Sequence, residues 1–526
     1  MKRTGRTLID SNEAEWKIII SKPCSTLLME GKMKEQYIIS IDQSTQGTKA
    51  LLFNRTGNLV KRADKHHRQI INDKGWVSHD PIEIYQNTIT VVQELVNGSG
   101  IDKAAVIGVG ISNQRETAMA WDKGTGRPLG NAVVWQCARA VDICERIADQ
   151  GHAGKVRQRT GINLSPYFPA AKIAWILENE PGAKEKAEAG EICHGTIDSW
   201  LVYKLTEGEA YRTDYSNASR TQLFDIFKLQ WDEEICRLFG IDPHNLPTVC
   251  DSDAHFGDTD FAGSLPKAVP IHSVLGDSHG ALFGQGCLEP GMMKTTYGTG
   301  SSIMMNVGEE AVVSTHGVVS SLAWCMGGKV NYVLEGNLNY TGAVVTWMKD
   351  DLEIIRSSAE TEELAKAAVK DDQLYLVPAF SGLGAPYWDS RAAASITGMT
   401  RTTGKAEIVR AGLECIAYQI TDIIAAMCED AGMQPEELRV DGGPTRNRYL
   451  MQFQSDIAQT IVQIPDAEEL SGIGAAYAAG LALGVWDQTV FGQIKRTRYE
   501  PQMETGTRSI KYQGWKQAVN SVLQHE

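Results

Sequence analysis

A single carboxylate, Asp277, follows the apolar run "IHSVLG" in the stretch "VLGDSHGALFGQG", among glycines and other small residues. A carboxylate delivered by a strand end into such surroundings can orient a hydroxyl and accept its proton. It can equally be a turn aspartate that bonds only its own backbone. Upstream, "ISNQRETAMAWD" sets Gln114, Arg115 and Glu116 just past another apolar run, and "NAVVWQCARA" and "NLSPYFPAAKIAW" supply Trp135 and Tyr167. A paired Arg and Glu offer charged hydrogen-bonding partners for hydroxyls, and two rings offer a wall for a carbon chain, which together suit a polyol. A surface ion pair beside core aromatics accounts for the same residues equally well.

Two Gly/Thr-rich turns have the composition of phosphate sites. In "DQSTQGTK", Asp42 enters a turn rich in hydroxyls whose backbone N–H groups can face a phosphate; Asp42 could hold magnesium through water and Lys49 could meet a phosphate oxygen. In "TTYGTGSSI", Gly298 and Gly300 flank Thr299. An ordinary hairpin explains either turn alone, but two at matching places could clamp one polyphosphate from opposite sides. A third motif, "RVDGGPTRNRYLMQFQSDI", runs strand, turn, helix, with Gly442 and Gly443 permitting close approach by a flat ring or a phosphate. No G-K-[ST] follows it, and "GLGAPYW" lacks the third glycine of a dinucleotide fingerprint, so neither a P-loop nor a Rossmann site is indicated.

These residues must be positioned by strands and helices in alternation. "YIISI" and "KALLFN" read as strands flanking the first turn, "RTGNLV" leads into a third, and "AAVIGVGIS" is a further buried strand. "PIEIYQNTITVVQELVNG" reads as a helix with Pro81 near its start and Gly98 after its end. "GMMKTTYGTGSSIMMNVGEEAV" repeats the strand, turn, strand order of the first motif, so each copy could begin one half of a duplicated α/β architecture. Pro and Gly cluster in "GCLEPGMMK", which sets the boundary between the halves. "SGIGAAYAAGLALGVW" predicts a helix made for close packing, perhaps at a domain interface.

A chain of 526 residues is long enough for two or three domains. The net charge of −14, with no long basic run, argues against nucleic acid or an anionic membrane surface as partner. The ten cysteines form no C-x-x-C pair and read as reduced, buried residues of a cytoplasmic protein. No apolar stretch approaches the ~18 residues needed to cross a membrane. The first 36 residues read as an extension outside the fold.

"SIDQSTQGTKALLF", "SNQRET", "VVWQCAR", "TDYSNASRTQLFDI", "ALFGQGC", "TTYGTGSS", "VPAFSGLGAPYWD" and "LRVDGGPTRNRYLMQFQSDI" together resemble the FGGY family of carbohydrate kinases, its glycerol kinases most. The resemblance runs in unbroken order over about residues 37–520. It implies a two-domain, actin-like (ribonuclease-H-like) α/β fold, with residues 37–286 carrying the substrate, the first phosphate turn and the base, and residues 287–526 carrying the nucleotide. ATP and Mg2+ are the implied cofactors, a small polyol or sugar the implied partner, and a dimer or tetramer of identical chains the implied assembly. Carried onto this chain, the magnesium-side aspartate is Asp42. The nucleotide residues are Thr45, Lys49, Thr299, Gly342, Thr346, Gly443 and Asn447. The substrate residues are Arg115, Glu116, Trp135, Tyr167 and Asp277, with Asp277 also the catalytic base.

This chain departs from the glycerol kinase pattern at the substrate. Ser278 and His279 stand where two glutamines usually follow the catalytic aspartate, Ser302 stands where a phenylalanine usually flanks the carbon chain, and Thr346 stands at the adenine-side glutamine. Replacing Phe by Ser opens space and adds a hydroxyl. The expected substrate is therefore glycerol or a related polyol, or else a longer tetritol or ketose of the erythritol, xylulose or ribulose type. A non-catalytic, nucleotide-switched protein of the actin-like class is the reading from outside the kinases.

Overall fold

Tyr37–Gln43 is buried along its whole length, as a β-branched run between two neighbouring strands should be. It pairs in parallel with Val106–Asn113 and antiparallel with Gly47–Asn54, the latter across the Ser44–Gln46 turn. The computed structural model describes residues 35–369 and 373–523; most of the expected N-terminal extension lies outside the described residues. The six-stranded sheet runs in the order His255–Thr259, Val269–Gly276, Val106–Asn113, Tyr37–Gln43, Gly47–Asn54, Leu59–His66.

A seven-stranded sheet repeats the plan. Met293–Tyr297 turns at Gly298–Gly300 into the antiparallel Ser301–Gly308, which pairs with Lys329–Leu338, while its other edge is parallel to Glu437–Gly442 and then Ile461–Pro465. In both sheets the first strand is central, flanked by its own hairpin partner and by a parallel strand from much later in the chain. The duplicated architecture read from the two hairpins is thus present as topology.

The two sheets meet through a shared apolar cluster that includes Ile38, Leu51 and Leu282 from one side and Met304, Val333 and Ile473 from the other. The small-residue helix, Leu470–Ala482, lies in that cluster and packs on Asp277–Gly284 with almost no side chain between them. A Cβ at Gly474 would sit 1.9 Å from the carbonyl oxygen of Gly280, and one at Gly284 would sit 2.3 Å from that of Leu470. Glycine is required at both places because each contact is to backbone, which cannot rotate away. This packing fixes the helix whose first residue is Asp277.

Two expectations need correction. The first helix spans Pro81–Ser99 and ends at Gly100, with φ 73°, so Gly98 lies inside it. The left-handed position past the last turn is what calls for glycine, and Gly100 occupies it. Second, Lys405–Ala431 is long and apolar enough to cross a membrane by length and composition. Nearly all of its most apolar stretch is buried inside the fold, and it packs against Ser301–Gly308 and Lys329–Leu338 of the seven-stranded sheet as a core helix. Among the described residues the nine cysteines are all free, and all but Cys250 are buried.

Candidate active site

Asp277 sits where Val269–Gly276 ends and its helix begins. Its Oδ1 accepts from the backbone N–H of Ser278 at 2.6 Å and lies 3.1 Å from Arg115 Nε. Arg115 and Glu116 follow the end of the parallel neighbour strand, Val106–Asn113. Glu116 has φ 57°, a left-handed conformation rare for a side chain of its size. Its Oε1 accepts from Arg220 Nε at 2.7 Å and is 3.9 Å from Arg115 Nε.

Glu335, from the Lys329–Leu338 strand of the other sheet, closes the cluster. It accepts from Arg115 Nη1 and Nη2, each at 2.8 Å, and lies 2.9 Å from Arg220 Nη1. Burial alone would raise the Glu335 carboxyl, but Arg115 and Arg220 hold it well below the ordinary carboxylate range. Burial likewise works against the Arg115 charge, and Glu335 and Glu116 more than restore it. Asp277 is the open member: its side chain is 36% exposed, against 2% for Glu116 and 0% for Glu335. It is therefore the most accessible carboxylate of this cluster.

Trp135 and Tyr167, the residues expected to form an aromatic wall, lie against one another. The rings of Trp135 and Tyr167 pack edge to face with centroids 5.6 Å apart. Trp135 Nε1 also donates to Thr45 Oγ1 at 2.9 Å, tying the wall to the first phosphate turn. Burial, and then the nearby Glu116 charge, push the Tyr167 hydroxyl up. Behind it, the fully buried Lys172 ammonium donates to the Tyr167 carbonyl, and burial brings its pKa down to about 7.

Asp42 ends its strand beside that turn, 3.6 Å from Lys49 Nζ, and it feels the negative charge of Asp277. Burial raises its pKa to about 6. Lys49 Nζ donates to Glu469 Oε2 at 2.6 Å, so its charge is shared between two carboxylates while its side chain stays 29% exposed. Among the described residues there is no cluster of three or more His, Cys, Asp or Glu suited to a metal. One or two carboxylates completed by waters and phosphate oxygens is the usual manner of Mg2+, and Asp42 with Asp277 nearby fits it.

On the second sheet lies a cleft of about 570 Å3 lined by Gly342, Thr346, Gly443 and Asn447, with Val345, Leu413 and Leu450 as apolar walls. Its volume suits a nucleoside-sized ligand. Thr299 is on the adjoining turn: its carbonyl accepts from the N–H groups of Thr341 and Ala343, both at 3.0 Å, and a Cβ on Gly342 would meet the Gly298 oxygen at 2.6 Å. Thr45 and Thr299 lie on the two separate turns, Lys49 lies in the strand after the first, and none of the three lines the cleft. The double glycine divides its work differently from expectation. Gly442, with φ 99°, is needed because a Cβ there would lie 1.9 Å from the Tyr297 oxygen, whereas Gly443 alone faces open space.

Ser278 and Ser302 face one another across the two sheets, Oγ to Oγ at 3.5 Å, and both are partly exposed. His279 points away and is fully buried; neither ring nitrogen has a hydrogen-bond partner among the described residues, and burial holds the ring neutral. Sequence reasoning missed Glu335, Arg220 and Lys294. The available signal for Glu335 and Lys294 was a charge beside apolar residues within a strand, as in "YVLEGNL" and "GMMKTTY", because charged residues are seldom fully buried unless paired.

Comparison with known proteins agrees with this geometry. Residues 37–284 match the N-terminal domain model of the FGGY family of carbohydrate kinases, and residues 293–483 match its C-terminal domain model. Glycerol kinase 1 of Thermotoga maritima is 47% identical over 93% of this chain and 99% of its own length. The Bacillus licheniformis glycerol kinase is 44% identical with the same coverages. Among solved structures, the ADP complex of Plasmodium falciparum glycerol kinase superposes with a TM-score of 0.88 at 35% identity, over 93% of this chain and 99% of that one. A Lactobacillus acidophilus xylulose kinase shares the fold, with a TM-score of 0.84 at 21% identity. The chain belongs to the FGGY family of carbohydrate kinases, phosphotransferases with an alcohol group as acceptor.

Proposed function

We propose that this chain transfers the γ-phosphoryl group of ATP to a terminal hydroxyl of glycerol or a closely related polyol. The carrying observation is one open carboxylate, Asp277, held by Arg115 in a buried ion cluster between an aromatic wall and two Gly/Thr turns. In this reading residues 37–286 form the substrate domain and residues 287–526 the nucleotide domain. The base and sugar occupy the cleft of Gly342, Thr346, Gly443 and Asn447, and the polyphosphate runs past Thr299 toward Thr45 and Lys49.

The substrate's hydroxyls bond Arg115 and Glu116, and its carbon chain lies on Trp135 and Tyr167. Asp277 orients the reacting hydroxyl and takes its proton. The hydroxyl oxygen bonds to the γ-phosphorus as the bond to the bridging oxygen breaks, leaving ADP. Such transfer is mostly positioning and charge neutralisation. Asp42 would hold Mg2+ through water, and the ion, when bound, neutralises the charge developing on the phosphates. Lys49 is poised to add to this, its own charge kept by Asp42 and Glu469 against the pull of burial.

An ADP-release assay with glycerol, erythritol, threitol, erythrulose, xylulose and ribulose tests the proposal. Turnover that depends on one of these acceptors supports it. ATP hydrolysis indifferent to all of them, with no phosphate ester formed, favours the nucleotide-switch reading instead.

A further inference from the structure

Behind Ser302 lies a lysine with unusual surroundings. Lys294 is fully buried in the Met293–Tyr297 strand. Its ammonium carries three donors, and its hydrogen-bond partners among the described residues are two hydroxyls at long range, Thr296 Oγ1 at 3.2 Å and Ser302 Oγ at 3.4 Å. Because Lys294 can only donate, Ser302 accepts from it and must point its own proton elsewhere. The acceptors on offer are Ser278 Oγ and Glu335 Oε1, both at 3.5 Å, beyond the usual range for a hydroxyl donor. Glu335 is already held by Arg115 and Arg220. Ser302 is thus a polarised donor with no good acceptor among the described residues, and the Ser278 hydroxyl beside it has the same long contact.

Both serines are partly exposed, and Ser278 directly follows Asp277 in the chain. Charge in the cluster excludes an anionic ligand group here. Against the cations Arg115, Arg220 and Lys294 stand at least as many carboxylates, Glu116, Glu335, Asp277 and Asp441, the last drawn to Lys294. What fits beside Ser278 and Ser302 is a neutral oxygen able to accept: a hydroxyl or a ketone.

We propose that Ser278 and Ser302, backed by Lys294, form a subsite for a substrate oxygen beyond the three of a glycerol-length chain, so that the preferred acceptor is a neutral polyol or ketose of four or five carbons. This rests on the reading of Asp277 as the base of a polyol kinase. Burying a donor opposite a substrate that lacks its partner is a strong means of discrimination.

The test is kcat/KM for glycerol and for the four- and five-carbon compounds above, in the wild type, Ser302→Phe, Ser302→Ala and Ser278→Ala, with ATP binding measured in parallel. The expected result is a wild-type preference of about tenfold or more for a longer compound over glycerol. That ratio should fall in Ser302→Phe and in both alanine variants, so that a variant that folds poorly leaves the others to decide. Glycerol best in the wild type, or a ratio unmoved in every folded variant, overturns the subsite while leaving the kinase reading intact. No phosphorylation of any acceptor by a wild-type protein that binds ATP overturns both.

Discussion

Arg115 presents both terminal nitrogens to Glu335, Nη1 to Oε2 and Nη2 to Oε1, each at 2.8 Å. The two residues are 220 positions apart and belong to different sheets, so this forked pair is a buried joint between the two halves of the protein. It leaves Arg115 Nε facing Asp277. The carboxylate proposed to meet the substrate is therefore faced by an arginine that is itself held by a residue of the other sheet.

Glu335→Gln keeps the shape of the joint and removes its charge. Arg115 and Arg220 would then share Glu116 and Asp277 alone. Losing one partner of a buried pair is expected to cost about 3 kcal/mol or more. The unfolding midpoint should drop, and kcat/KM should fall by about a hundredfold as Asp277 loses its orientation. Denaturation curves and steady-state kinetics check both; a variant of unchanged stability would mean the joint contributes little.

Asp42 makes the opposite prediction. Its carboxyl holds a proton up to about pH 6 in the folded state, whereas the ordinary value is 3.8. Between those values the folded protein binds more protons than the unfolded one, so stability falls as pH rises through this window. The charge at neutral pH is thus an expense of roughly 3 kcal/mol accepted for function. Asp42→Asn should raise the unfolding midpoint of the ligand-free protein at pH 7.5, lose that advantage below pH 4, and lose most activity. In the wild type, kcat/KM for the nucleotide should decline below about pH 6 with the slope of one proton. Thermal unfolding at the two pH values, with a pH–rate profile, decides; an Asn variant less stable at pH 7.5 contradicts it.

Two glycines separate packing from binding. Gly474→Ala would drive a Cβ to 1.9 Å from the Gly280 oxygen, so the two helices must part and Asp277 must move. A fall in kcat of about tenfold or more is expected, with reduced stability. At Gly443 a Cβ would meet nothing within 4 Å, and Gly443 lines the cleft proposed for the nucleotide. Gly443→Ala should leave the unfolding midpoint near that of the wild type and raise KM for ATP. Kinetics and melting curves of the pair check this, and equal effects on stability would remove the distinction.

Much of this was legible in the sequence, for identifiable reasons. The strands around Asp42 and Thr299 announce themselves by β-branched runs on either side of Gly/Thr turns, and Asp277 gains meaning from its company of Arg115, Glu116 and two phosphate turns. The same reading could not find Glu335, whose partner lies 220 residues away and whose strand, with Lys329 at its start and two asparagines, does not single it out. Nor could it divide Gly442 from Gly443, since the need for the first is a carbonyl of Tyr297 on a neighbouring strand. Gly98 and Gly100 both punctuate a helix end in sequence, and only the backbone angle at Gly100 tells them apart. What stays hidden from sequence is the long-range partner, because it is fixed by topology and not by local pattern.

The role of Asp277 is tested most directly by following the γ-phosphoryl group itself. Phosphorus NMR of the protein with ATP, Mg2+ and the best acceptor, compared with Asp277→Asn at matched ATP binding, reads the transfer without a coupling enzyme. The predicted result is a phosphate monoester on a primary alcohol carbon with the wild type, and a rate lower by about 100- to 10,000-fold in the variant. Ester formation at a near wild-type rate by Asp277→Asn would contradict it.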